Sequence, residues 1–483
     1  MDNKRESVGY WWSRLWKGAG IYGIGVAIPR LGAVAMLPVY WEILRPEDFG
    51  RIALAQVVVM ILTPMMSLGL YESVQRFYYE WPVERRRDAI GALWLVAVIW
   101  AGFVALLLHV FGENIFAGVF KQLPFWPYGV MAVWTAFAST LSLFPYALLR
   151  IKERPAVYTA ISISMYLTQT VFVLGALAYY EKGALGYLAG LLVNAVCWGG
   201  YFFLFMAREV SFRPLRGMLR GVGEYGAGTM GVAVLEGVAS VLDRVLLEKF
   251  APIRMVGLYA VAGQVASAVG AFNQMLKLSW IPLVYRIVVK ERDAPRLVGK
   301  LGVYYSAAAM LAGVAVGLLG ADVLRWSGGG RYREAIPLIG PMVVAATIMA
   351  IGTALGRGQD LAKRMRFALA APAAGIVVSA ASLWLLVPHL GAWGAVIALI
   401  SGNCARVAVQ TALAVYYYPR PMKWMRLAML AVVAVVAYLV GYFLGGGIDV
   451  AEAAALHLVV VMVSAGLLFN IAGGRLVSKR WGL

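Results

Sequence analysis

The feature that most constrains this chain is a recurrence of apolar segments about 20 residues long, divided by short gaps. That length lets a helix cross the hydrocarbon of a bilayer. A helix also satisfies its own backbone polar groups there, which an open sheet does not. Such runs predict fourteen spans, starting near Gly18, Gly50, Ala89, Trp126, Ala156, Ala184, Gly221, Val256, Lys300, Ala335, Phe367, Ala392, Leu427 and Ala453. The chain is 62% hydrophobic and 14% charged with no long polar block, so it reads as an all-α polytopic membrane protein rather than as soluble domains.

A net charge of +19 would suit a nucleic-acid binder, but its distribution follows the membrane instead. The termini and every second gap hold 30 of the 43 basic residues, including Arg85-Arg86-Arg87, Arg150 to Arg154, Arg208 to Arg220, Arg286 to Lys300, Arg357 to Arg366 and Arg420 to Arg426. The opposite gaps hold nine, and Arg30, Arg244, Lys277 and Arg406 lie within spans. The positive-inside rule then puts both termini in the cytoplasm and makes the basic excess a matter of topology, with no nucleic acid as partner. Cys197 and Cys404 fall within spans, so no disulfide framework is implied. The first apolar run is too long for a cleavable signal. Residues 1–17 form a cytoplasmic segment in which Val8 to Trp16 fit an amphipathic stretch on the inner leaflet or a plain aromatic belt.

The chain repeats itself. Gly50-Arg51-Ile52-Ala53-Leu54-Ala55 is echoed 207 residues later by Gly257-Leu258-Tyr259-Ala260-Val261-Ala262. Ala147-Leu148-Leu149-Arg150 returns as Ala354-Leu355-Gly356-Arg357, again 207 apart, and Gly183-Ala184-Leu185-Gly186 as Gly391-Ala392-Trp393-Gly394, 208 apart. Each match is weak alone, but three at nearly one offset predict two pseudo-symmetric six-helix lobes, 18–208 and 209–418, followed by spans thirteen and fourteen in 419–483. An even number of spans per lobe makes the repeats parallel and predicts a cavity between them at mid-membrane. Prolines at 29, 38, 64, 145, 282, 341 and 372 are expected to kink their spans.

Charge within a bilayer costs several kcal/mol at least, so the intramembrane cations are functional candidates. Arg30, Arg244 and Lys277 sit on equivalent hairpins and are expected to face one another; with Arg406 they suit a phosphate or diphosphate, arginine as a bidentate donor and lysine as a point charge. Asn273 shares a face with Lys277 at i, i+4, and Asn403, Arg406 and Gln410 form a stripe that equally fits helix-to-helix hydrogen bonding. Glu72 and Arg76 read as an ion pair at i, i+4. Glu236 and Asp243 read as counter-ions for Arg244 or Arg30, or as a proton or sodium site. His109, His389 and His457 lack metal-ligand spacing. No Gly-Lys-Ser/Thr loop cradles a nucleotide, and no outer loop is long enough for a catalytic domain. Neither an enzyme nor a cofactor is expected; transport would draw on a proton or sodium gradient or on a partner ATPase.

Arg45-Pro46-Glu47-Asp48-Phe49-Gly50, Gly69-Leu70 to Arg76-Phe77, Leu148-Leu149-Arg150 to Glu153-Arg154, and Asp243-Arg244 followed by Val256-Gly257-Leu258-Tyr259 resemble the polysaccharide transporter family. These are oligosaccharide-lipid flippases of O-antigen, capsule and exopolysaccharide pathways, in the superfamily of the lipid II flippase and the multidrug and toxin extruders. Pro29-Arg30-Leu31-Gly32 also resembles the lipid II flippase's first-helix arginine motif. The resemblance implies a bacterial inner-membrane protein that moves an undecaprenyl-diphosphate-linked oligosaccharide outward by alternating access, with Arg30, Arg244, Lys277 and Arg406 on the diphosphate. It also implies membrane lipids, a glycan polymerase and glycosyltransferases as partners, and a lipid-tail groove at spans thirteen and fourteen. The alternatives are a cation-coupled multidrug extruder, disfavoured by Arg30 in a span without acids, and a membrane glycan polymerase or ligase, which would need catalytic acids and a large outer loop.

Overall fold

The computed structural model describes residues 28–30, 32–180, 183–211, 219–290, 293–327, 330–356, 369–445 and 449–472. Regular structure among them is helical throughout. Twelve of the expected spans are helices long and apolar enough to cross a membrane. The expected seventh is a 32-residue helix, Leu219–Phe250, whose glycines and charged groups keep it less apolar than the rest. The expected first is described from residue 28 onward, and the 1–17 segment lies outside the described residues. Apolar side chains stay exposed along the outer faces, among them Ile99, Phe103, Val432, Phe443 and Met462. A helix covered by lipid tails has no reason to hide them.

The chain divides into two compact units, 1–30 with 47–254 and 31–46 with 255–483. The repeat puts its boundary at 208; packing places span seven with the first unit and residues 31–46 with the second.

The first unit holds α2 (Pro46–Ser67), α3 (Leu70–Phe77), α4 (Arg86–Val119), α5 (Val130–Ile151), α6 (Pro155–Tyr179), α7 (Ala184–Glu209) and α8 (Leu219–Phe250). The expected single span from Gly50 to Phe77 is broken at Leu68–Gly69, where both residues adopt positive φ, 52° and 64°. Trp94 from α4, Phe144 and Leu148 from α5, Met206 from α7 and Val222 from α8 meet in one buried cluster. Asp48 closes the start of α7: its Oδ1 accepts from the Ala184 backbone N–H at 3.1 Å, the preferred N-cap chemistry supplied from the first turn of α2. At the other end Arg87 donates to the carbonyls of Arg208 and Glu209 at 3.1 and 3.0 Å, where a cation suits the helix dipole. Part of the basic run Arg85–Arg87 therefore also terminates a helix.

One buried acid explains why α8 packs here. Glu248 is fully buried, and its Oε1 accepts backbone N–H bonds from Lys121, at 2.6 Å, and from Gln122. Gln122 returns the link, donating to the carbonyls of Glu248 and Ala251 at 2.7 and 2.8 Å and accepting from the Ile253 N–H at 2.7 Å. Removing one partner of such a bond leaves the other's desolvation uncompensated. Glu248→Ala is expected to lower stability by about 2 kcal/mol or more, and Glu248→Gln, which keeps an acceptor, by less. Denaturant unfolding in detergent measures both; equal stability in all three proteins would show the clasp to be slack.

The second unit holds α1 (32–43), α9 (Ile253–Lys290, from Met255 on), α10 (Ala294–Ser327), α11 (Ile336–Leu355), α12 (Ala370–Leu390), α13 (Ala392–Tyr417), α14 (Trp424–Leu444) and α15 (Val450–Ala472). The end of α1 is fastened by Tyr332, whose hydroxyl donates to the Leu44 carbonyl at 2.7 Å, and by Arg331, which donates to the Glu42 carbonyl at 3.2 Å. α12 and α13 meet closely because Gly375 and Gly402 face each other; a Cβ on either would crowd the opposing backbone. Arg420, expected only as a topology signal, is buried and donates to the Leu355 carbonyl at the end of α11. Burial pulls its pKa below the usual arginine value.

Candidate functional site

In the first unit the break at Gly69 starts α3, which carries Tyr71, Glu72, Gln75 and Arg76 to Arg150 on α5 and Tyr225 on α8. These six residues line a polar cavity of about 570 Å³. Glu72 accepts from the Tyr71 hydroxyl at 3.0 Å, whereas Arg76 pairs with Glu80 at 2.5 Å. The expected Glu72–Arg76 pair thus gives way to Arg76–Glu80. Both are allowed at i, i+4, and Glu72 is engaged by its neighbour's hydroxyl.

Further along α8, Glu236 is exposed, and Asp243 and Arg244 are half-buried. Asp243 Oδ1 accepts from the Arg244 backbone N–H at 2.8 Å. The Arg244 Nε is buried with no hydrogen-bond partner among the described residues. A guanidinium nitrogen shut away from water without an acceptor is costly, and an anionic ligand would satisfy it. Arg30 is exposed, close to the start of the described residues.

In the second unit Asn273 is a tie between helices. The Tyr305 hydroxyl of α10 donates to its Oδ1 at 2.7 Å, and its Nδ2 donates to the Thr353 hydroxyl of α11 at 3.3 Å. Lys277, one turn later on α9, is half-buried. Asn403 of α13 donates to the Ala345 carbonyl of α11 at 3.0 Å. Both asparagines are thus anchored to α11, and the helix-to-helix reading of the α13 stripe holds for Asn403. Arg406 is half-buried, its Cβ packed where α12 comes closest.

The second unit also contains an apolar groove of about 410 Å³, lined by Met310 and Gly313 of α10, Gly340 and Thr347 of α11, Ile400 of α13 and Tyr438 of α14. Gly340 leaves room for Tyr438; a Cβ there would overlap the tyrosine hydroxyl. Neither the groove nor the contribution of Gln75, Arg150 and Tyr225 to the polar cavity carries a local sequence signal, because each assembles from helices far apart in the chain.

A family described as "Polysaccharide biosynthesis protein" matches residues 42–298, more than half of the 483. A Haemophilus influenzae protein of the Lsg locus is 22% identical over 329 residues, 66% of this chain and 78% of its own length. Among solved structures, the lipid II flippase MurJ in an inward closed conformation superposes with a TM-score of 0.74 at 10% identity, covering 93% of this chain and 98% of its own. A mutant of the Vibrio cholerae MATE transporter VcmN gives 0.56 at 14% identity, over 84% and 97%. At such identities the likeness is one of fold: a multi-pass helical membrane architecture.

Proposed function

We propose, because this chain belongs to the polysaccharide biosynthesis protein family, that it is a flippase for a polyprenyl-diphosphate-linked oligosaccharide, moving it outward across the bacterial inner membrane by alternating access. The observation that carries this reading is Arg244, whose buried Nε lacks an acceptor among the described residues. With Arg30, Lys277 and Arg406 it supplies the cations that a diphosphate requires inside a low-dielectric membrane. Fourteen spans with both termini cytoplasmic complete the proposed topology, and no catalytic step is assigned to the chain. The groove beside Tyr438 has the apolar lining that a polyprenyl tail needs, and it borders the first of the two added helices. Glycosyltransferases and a glycan polymerase are the proposed partners, and a proton or sodium gradient the energy source.

The test is reconstitution in liposomes with a fluorescent polyprenyl-diphosphate oligosaccharide, reading its protection from an external quencher with and without an ion gradient. Protein-dependent movement is the expected result, and its gradient dependence identifies the driving ion. An inert lipid-linked substrate alongside efflux of cationic dyes would replace this reading with a drug extruder, whose fold the chain also shares.

A further inference from the structure

Asp322 on α10 and His457 on α15 are 4% and 2% exposed, deep among apolar helices. His457 Nδ1 lies 2.5 Å from Asp322 Oδ2, and Nε2 lies 3.0 Å from the Gly441 carbonyl of α14. Carbonyl and ionised carboxylate oxygens only accept, and a neutral imidazole has one N–H to give. Either neutral tautomer therefore sets a bare ring nitrogen against an oxygen. The arrangement is satisfied when an additional proton is bound. Arg325 Nη1 lies 3.7 Å from Asp322 Oδ1, so a positive charge stands beside the carboxylate.

Around the ring, α10 presents Asp322 and Arg325. α14 presents the Gly441 carbonyl and has Tyr438 and Tyr442 as its titratable groups, and Asp449 and Glu452 flank the start of α15. Arg325 also donates to the Gly445 carbonyl at 3.2 Å. When the proton leaves, Asp322 and Arg325 still balance each other in charge, but the ring has lost one of its two donors. α14 is held against that ring: a Cβ on Gly445 would overlap it, and Tyr438 of the groove lies one turn before Gly441.

We propose that Asp322 and His457 form a proton-binding site that fastens the last two helices to α10, and that losing the proton loosens α14 along the apolar groove. The ligand is a proton and not the cargo, so the site is tested without assaying transport, although the groove it borders is the one proposed for the lipid tail. Docking is favoured at low pH and weakens as pH rises. By the distribution of basic residues the site lies toward the outer face, where it senses outside pH.

The full-length protein in bilayers, labelled with ¹⁵N-histidine, tests the site directly. The chain has three histidines, so His109→Gln and His389→Gln assign the third signal. Both His457 nitrogens are expected to carry a proton in the docked arrangement, and one of the two to lose it as pH is raised. A singly protonated ring throughout would overturn the proton site. Spin labels at the exposed Val323 of α10 and Val436 of α14 report fastening. One narrow distance, broadening as the second ring proton is lost, is expected in an otherwise wild-type protein, with the pH response lost in His457→Gln. An unchanging wild-type distance would overturn the coupling.

Discussion

Arg244→Ala is expected to insert normally and to move the lipid-linked oligosaccharide at least about 100-fold more slowly than wild type. The magnitude follows from a loss of roughly 3–5 kcal/mol, the upper part of the range for truncating one partner of a buried charge-assisted contact, at about 1.4 kcal/mol per tenfold. Stability is expected to hold, because the Nε has no acceptor among the described residues to leave stranded. This separates Arg244 from Glu248, whose removal strands two backbone donors. Arg244→Lys keeps the charge but not the planar fork, and is expected to recover part of the rate. Arg30→Ala and Lys277→Ala are expected to abolish surface glycan in cells while the proteins still reach the membrane. The quencher assay supplies the rates, and wild-type transport by Arg244→Ala would remove the support for a diphosphate site at this residue.

Gly69→Ala is expected to be the most damaging single methyl group in the first unit. Gly69 holds φ at +64°, and its Cα abuts α8 so closely that a Cβ would overlap the Gly226 carbonyl oxygen and the Thr229 hydroxyl. The left-handed backbone costs a non-glycine residue about 1–2 kcal/mol, and overpacking about 1–3 more, for a combined loss of about 2–5 kcal/mol. The contact is reinforced by Ser73, whose hydroxyl donates to the Val222 carbonyl at 3.1 Å, so the added methyl also strains that bond. Two glycines of α8 calibrate the effect. A Cβ on Gly226 would meet the Leu68 carbonyl at 2.9 Å and the Ser73 hydroxyl at 3.1 Å, so Gly226→Ala should cost less. A Cβ on Gly228 meets nothing within 4 Å, and Gly228→Ala is expected to be neutral or to stabilise by up to about 1 kcal/mol. Denaturant unfolding of the three variants in detergent gives the ranking; equal stabilities would show that the α3–α8 contact is not tight.

The sequence by itself determined the helical membrane class and most of the span positions. Hydropathy over about 20 residues is a local property, and bilayer thickness converts it directly into structure. The same local reading located Arg244, Lys277 and Arg406 within helices, since an intramembrane charge stands out against its neighbours. It also found the Arg45 to Gly50 motif, although the task of Asp48 there, capping α7 from 136 residues away, emerged only in three dimensions. Within the span expected from Gly50 to Phe77, hydropathy passes smoothly over Leu68 and Gly69, and only the backbone shows the break.

Tertiary structure decided which helices belong together and what each polar group does. Arg76 turned to Glu80, Asn273 and Asn403 to α11, and Arg420 to the end of the same helix. The sequence repeat marks where the chain duplicates, but Glu248 and Gln122 tie α8 into the first unit through bonds spanning more than 120 residues. His457, unremarkable by spacing, became a candidate proton site once Asp322 and the Gly441 carbonyl bracketed both its nitrogens. Periodicity along a chain determines which residues can enter a membrane. It does not choose among equally spaced partners on different helices, because that choice rests on side-chain packing and on satisfying buried hydrogen bonds, which exist only after the helices have met.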